Sequence, residues 1–135
     1  MGARKHNSAE KNKEAKKNKC FARLNNCPTS PRKMRLVAGL IRGVDAEKAI
    51  HILKHSPQEA AGRLHILLLS AIANWQAKNE GLRIEESNLY IKEVMVDSAR
   101  QLKRIRPAPQ GRAHRIRKRS NHVTMVIDSR TEIEN

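Results

Sequence analysis

The sequence predicts an α+β fold: a small antiparallel, three-stranded sheet packed on three helices, with a long basic β-hairpin arm protruding from it. Three observations carry this reading. Apolar residues recur at helical spacing between Pro31 and Lys78. From Asn88 onward the spacing drops to two, in Tyr90–Val96 and again in His122–Ile127. Between those runs lies RQLKRIRPAPQGRAHRIRKR, Arg100–Arg119, with nine Lys/Arg, no acid and a proline-glycine break near its middle.

The 135 residues make one domain with tails, since a second core would be too small to hold itself. The expected division is a basic mobile extension at 1–19, a single domain at 20–128 that includes an arm at 97–121, and a short tail at 129–135. The net charge of +15 follows this division. Residues 1–19 carry seven Lys/Arg against two acids, and residues 20–98 carry eleven against eight. Arg100–Arg119 adds nine uncompensated cations, while residues 120–135 are net acidic. The folded body is therefore nearly neutral, and the excess sits where nothing needs burial. A cation surplus concentrated in this way belongs to a polyanion binder; charge kept for solubility would be spread and mixed with acids. Cys20 and Cys27 lack the paired spacing of a zinc site and read as reduced thiols. No apolar run is long enough to span a membrane, and the polar opening lacks the pattern of a secretory signal. Neither a cofactor nor a homo-oligomer is expected, and the location implied is cytoplasmic.

The extension at 1–19 has almost nothing apolar and is expected to order only against a partner. Cys20–Leu24 is a short strand candidate, and Asn25–Ser30 reads as a turn. Ser30 as N-cap and Pro31 at the first helical position start a helix whose face is Met34, Val37, Ala38 and Ile41, widened by Leu36 and Leu40, with Gly43 ending it. Arg32, Lys33 and Arg35 occupy its first turns, where cations oppose the helix dipole, so a phosphate partner explains them better than helix stability. A second helix spans Ala46–His55 behind Asp45, buried through Ala49, Ile50 and Leu53. Ser56 with Glu59 resembles a capping box around Pro57, opening a third helix. Its stripe of Ala60, Ala61, Leu64, Leu67, Leu68, Ala71, Ile72 and Trp75 makes it the core spine, with Gly81 as its stop. In the first long strand, Leu89, Ile91 and Glu93 are expected on one face, and Tyr90, Lys92, Val94 and Val96 on the other.

Sparse apolar points in the arm (Leu102 and Ile105 on one limb, Ile116 on the other) suit two paired strands without a core. Pro107 and Pro109 remove ladder donors and Gly111 permits unusual dihedrals, which puts the turn at Pro107, Ala108, Pro109, Gln110 and Gly111. From Val96 to the turn is about 36 Å at strand rise, well beyond the roughly 13 Å radius of gyration of a 100-residue body. A ribbon with nine like charges is marginal alone, so it is expected to order on a neutralising partner. Arg112, Arg115, Arg117, Lys118 and Arg119 place cations on both faces of their strand. A folded RNA surrounds such an arm and a straight duplex does not. With no aromatic in the arm, base stacking on aromatic rings is excluded as its mode.

SPRKMRLVAGLIRG at Ser30–Gly43, SAIANW at Ser70–Trp75 and VDSARQLKRIRPAPQGRAHRIRKRSNHVTMVI at Val96–Ile127 together resemble the bacterial large-subunit ribosomal protein twenty-two family. The likeness covers about Phe21–Asp128, in order. It implies an α+β body on large-subunit ribosomal RNA, support of subunit assembly, neighbouring large-subunit ribosomal proteins as partners, and an arm lining the peptide exit tunnel beside the nascent peptide. By this resemblance Lys103, Arg104, Arg106, Arg112, Arg115, Lys118 and Arg119 match arm positions that contact RNA, and Arg117 joins them on the charge pattern. Arg32, Lys33 and Arg35 match the RNA face of the body, and Pro107–Gly111 the tunnel-facing tip. The sequence departs from the family pattern at Ala99-Arg100, where Gly-Pro is common, and at Ala108-Pro109, where Arg-Ala is commoner.

Two other readings are weaker. A DNA-bending arm would want an apolar wedge at its tip and cations mainly on one face. An enzyme would need more than Glu47, His51 and His55 on a polar helix face, or Asp97, Ser98 and His122 without a glycine elbow, so no catalysis is expected.

Overall fold

The computed structural model describes residues 3–79 and 87–130. In chain order these form helix α1 (Ala3–Asn18), strand β1 (Cys20–Cys27), helices α2 (Pro31–Ile41), α3 (Ala46–His55) and α4 (Glu59–Lys78), and the long strands β2 (Leu89–Pro107) and β3 (Ala113–Ser129). The sheet order is β1-β3-β2 and both pairings are antiparallel. Helices α2, α3 and α4 cover one face of the sheet, so the core is a single layer between them. Met34, Val37 and Ile41 of α2, Leu53 of α3, and Leu64, Leu68 and Ala71 of α4 meet Ile91, Val123, Met125 and Ile127, all essentially inaccessible to water. Ile50 and Ile72 stand at its margin, half-buried, whereas Leu36 and Leu40 do not widen the α2 face as expected: they lie off its buried stripe, 68% and 56% exposed.

Several boundaries differ from the sequence reading, each for a physical reason. Residues 3–18 form α1, where no element of its own was expected. Its described side chains are all exposed, so intrinsic propensity from Ala, Lys and Glu builds it, helped by a His6–Glu10 contact one turn apart at 3.6 Å. Strand β1 runs on to Cys27 through Asn25 and Asn26 instead of turning at Asn25. The step from Leu24↔Val123 to Cys27↔Asn121 absorbs one extra residue, with Asn26 at φ 53°. The expected capping box is absent: Ser56 is the C-cap of α3 with ψ 127°, and α4 opens at Glu59 behind Gln58. The residue before a proline is pushed out of helical geometry, which ends α3 at Ser56. The Gly81 stop lies outside the described residues; α4 closes through Asn79, whose N–H reaches the Trp75 and Gln76 carbonyls.

The face assignment in β2 is corrected by a bulge. Ile91 pairs with Ile127 but Glu93 pairs with Val126, so Lys92 is an extra residue and the alternation shifts by one. Leu89 and Ile91 therefore share the core with Val94 and Val96, while Glu93, Met95 and Asp97 point to the opposite face. Two ion pairs fasten this end of the sheet. Lys92 meets Asp128 at 2.7 Å, and Arg130 reaches Asp45 at the start of α3 at 2.9 Å while lying over the Tyr90 ring.

Candidate nucleic-acid interface

Beyond Asp97 the strands β2 and β3 leave the body and continue as a two-stranded hairpin. Pairing is unbroken from Gln101↔Arg119 through Pro107↔Ala113, and the chain reverses at Ala108–Arg112. The Ala108 N–H donates to the Arg112 carbonyl at 2.9 Å. Gln110 and Gly111 have φ of 61° and 68°, the left-handed pair that a primed hairpin turn requires. The turn thus falls one residue beyond the expected Pro107–Gly111: Pro107 still pairs with Ala113, and the reversal takes in Arg112. Every side chain from Arg100 to Arg119 is exposed except the half-buried Ala108 and Ile116. From Ser98 to Pro107 the limb extends about 30 Å at strand rise.

Register decides how the cations are distributed. Residues directly opposite in an antiparallel pair share a face. Lys103, Arg115, Arg117 and Arg119 therefore lie on one side of the ribbon, and Arg104, Arg106 and Lys118 on the other, with Arg112 in the turn. Lys103 stands directly across from Arg117, an arrangement that repels in the free protein and attracts anions. The apolar points do not act together. Leu102 and Ile116 share one face, whereas Ile105 is on the other and 73% exposed.

The base of the arm is where the body holds it. At this level both flanking strands carry an extra residue. On β1 it lies between Leu24 and Cys27, and on β2 between Ser98 and Gln101, at the Ala99-Arg100 departure. Asn121 sits between these bulges with no accessible surface. Its Nδ2 donates to the Thr29 carbonyl at 2.5 Å, tying β3 to the loop that enters α2, while His122 Nδ1 accepts the Asn26 N–H at 3.1 Å.

Strand β2 is an edge, and α2 covers its outer carbonyls. Arg35 donates to the Val96 carbonyl from Nε and Nη2, and Arg42 donates to the Val94 carbonyl from Nη2 at 2.9 Å. The Gly43 N–H meets the Ile91 carbonyl, and the Ile91 N–H meets the Val44 carbonyl. Unpaired edge groups invite foreign strands, so this covering protects the sheet as well as bracing the arm. Arg32 and Lys33 remain exposed on α2, free of such bonds among the described residues. Arg42 and Asn121 escape sequence reasoning. A signal for Arg42 exists, because it stands seven residues after Arg35, at the C-cap of α2; Asn121 offers none.

Glu47, His51 and His55 are all exposed, with His55 Nδ1 against the His51 carbonyl. Among the described residues no three His, Cys, Asp or Glu side chains come together in a way suited to a metal ion. Cys20 and Cys27 are separate buried thiols, and burial pushes the Cys20 thiol above its ordinary value.

A small α+β body with edge carbonyls braced by arginines, extended by a ribbon with cations on both faces, defines a protein built to be enclosed by a polyanion. The chain belongs to the ribosomal protein L22p/L17e family, which its residues 22–128 match. It is 67% identical over 127 residues to the large ribosomal subunit protein uL22 of Christiangramia forsetii, covering 94% of each chain. The proteins of the same name from Porphyromonas gingivalis and Bacteroides fragilis are 59% and 58% identical, over 96% and 99% of this chain and 96% and 98% of theirs.

Proposed function

We propose that this protein is a structural, non-catalytic constituent of the large ribosomal subunit in the cytoplasm, bound to large-subunit ribosomal RNA and acting in subunit assembly. The observation that carries the reading is the register of the arm, which sends four cations to one face and three to the other along a ribbon with no core of its own. Such a ribbon gains from phosphates on every side and loses nothing by leaving the body. Lys103, Arg104, Arg106, Arg112, Arg115, Arg117, Lys118 and Arg119 neutralise RNA along the arm. Arg32 and Lys33 do so on the body, and Arg35 chiefly aims the arm. The tip, Pro107–Gly111, lines the peptide exit tunnel and meets the nascent peptide. Family membership and the near-complete overlap with large-subunit proteins support this assignment.

The test is association in the cell's own particle. Full-length protein is expected to stay with large subunits through a high-salt wash. A version lacking Leu102–Arg117 is expected to keep its circular dichroism spectrum while losing RNA affinity and its salt dependence. Tighter binding to duplex DNA than to folded ribosomal RNA would overturn the reading.

A further inference from the structure

The sheet face turned away from the helices differs in character from the rest of the molecule. Register places Phe21, Val126 and Glu93 in one row across it, and Arg23, Thr124 and Met95 in the next. His122 and Asp97 follow in a third row, and Tyr90 lies beside Asp128 at the far end. All three carboxylates carried by the strands, Glu93, Asp97 and Asp128, are on this face. Asp128 is paired with Lys92, but Glu93 and Asp97 have no ion-pair partner among the described residues. Met95 lies between them, 44% exposed, and Phe21, across β3 from Glu93 on the opposite edge strand, is 38% exposed. The cation of these rows, Arg23, is drawn over the Phe21 ring at 5.3 Å.

A chain with 28 Lys/Arg does not lack cations to pair with two acids. Carboxylates left open beside exposed apolar groups repel phosphate and attract a basic protein surface. Along the outer face of β2 the order is acid, methionine, acid at Glu93, Met95 and Asp97, each about 6.6 Å from the next. We infer that this face docks an extended cationic protein segment. It would present an aliphatic side chain between two Lys/Arg at alternate positions, the apolar group seated on Met95 and the cations on Glu93 and Asp97. The occupant is a neighbouring basic protein of the particle and not RNA. This rests on the ribosomal reading above.

The test places a photo-crosslinking amino acid at Met95 in the full-length protein, with a second version carrying it at the exposed Ile105 of the arm. Both are assembled into large subunits, which are purified and irradiated. The expected result is an adduct from position 95 to a basic protein, identified by mass spectrometry, and an adduct from position 105 to RNA. Adding E93K and D97K to the Met95 probe should cut its protein adduct about tenfold and leave the Ile105 adduct unchanged. An RNA adduct at 95, no adduct there, or a yield unmoved by E93K/D97K overturns the inference alone. Absence of the protein from large subunits overturns the ribosomal reading, and this inference with it.

Discussion

Arg35 holds the Val96 carbonyl with two donors, Nε at 3.3 Å and Nη2 at 3.0 Å, one residue before the arm begins. A cation in the first turns of α2 thereby becomes a brace between a helix and the root of the ribbon. The forked geometry belongs to arginine; a lysine carries the charge but not the paired donors.

Substitution at Arg35 separates bracing from phosphate contact. R35A and R35K are both expected to lower stability by about 1–2 kcal/mol in chemical denaturation, since each loses the charge-assisted bond to a backbone acceptor. RNA affinity that R35K retains in full, at unchanged stability, would show that Arg35 contributes charge alone.

Cations on the arm are expected to act nearly uniformly. Replacing Lys103, Arg106 or Arg117 singly by Gln should each reduce the slope of log affinity against log salt by about 1 without altering the stability of the body. Titration with a folded large-subunit RNA fragment at several salt concentrations measures this. Loss confined to one face of the ribbon would mean that RNA covers that face alone.

At Asn121 a fully buried amide does a structural task. N121A removes the donor to the Thr29 carbonyl and leaves that acceptor unmet, for an expected cost of about 1–3 kcal/mol in urea unfolding. Amide exchange should quicken at the base of the arm in the same variant.

Gly111 needs its left-handed φ of 68°. G111A is expected to strain the tip by about 1–2 kcal/mol, while Q110G should relax it, since Gln110 occupies the same region. Body melting temperature should hardly move in either; the readout is cross-strand order in the arm, followed by nuclear magnetic resonance.

Acid should loosen the junction at Asp45. The hydrogen bond from Lys48, with Arg130 nearby, holds its carboxyl below the ordinary aspartate range against a smaller opposing effect of burial. A carboxyl with a lowered folded-state pKa stabilises above its unfolded value and loses that contribution as pH falls through the folded one. The melting temperature of D45N should therefore lie below that of the parent near neutral pH and converge with it in acid.

Much of this architecture is legible in the sequence because it depends on periodicity and charge. The stripe from Ala60 to Trp75, the proline start of α2 and the turn of the arm each leave a mark in residue type. The bulges do not. Lys92 suits a strand as well as any neighbour, and only the partner strand reveals that it is surplus, so alternation in the sequence puts the residues of β2 beyond Ile91 on the wrong faces. Helix α1 buries nothing among its described side chains, so no apolar stripe marks it. The two-sided arm is legible, because alternation along a paired strand is local. The bracing by Arg35 and Arg42 is not, since it depends on which strand of the sheet is left at the edge.

The surplus residue at Ala99-Arg100 has a consequence for how such an arm can vary. Ser98↔Asn121 and Gln101↔Arg119 flank it, so deleting one residue there would restore an even ladder without changing any cross-strand partner above or below. Every cation would keep its face and its neighbour. What would change is the twist and heading of the ribbon as it leaves the shoulder, because a bulge bends the strand that carries it. Steering and grip are thus assigned to different stretches of one hairpin, and a single inserted or lost residue can re-point the arm while leaving its charged surface intact.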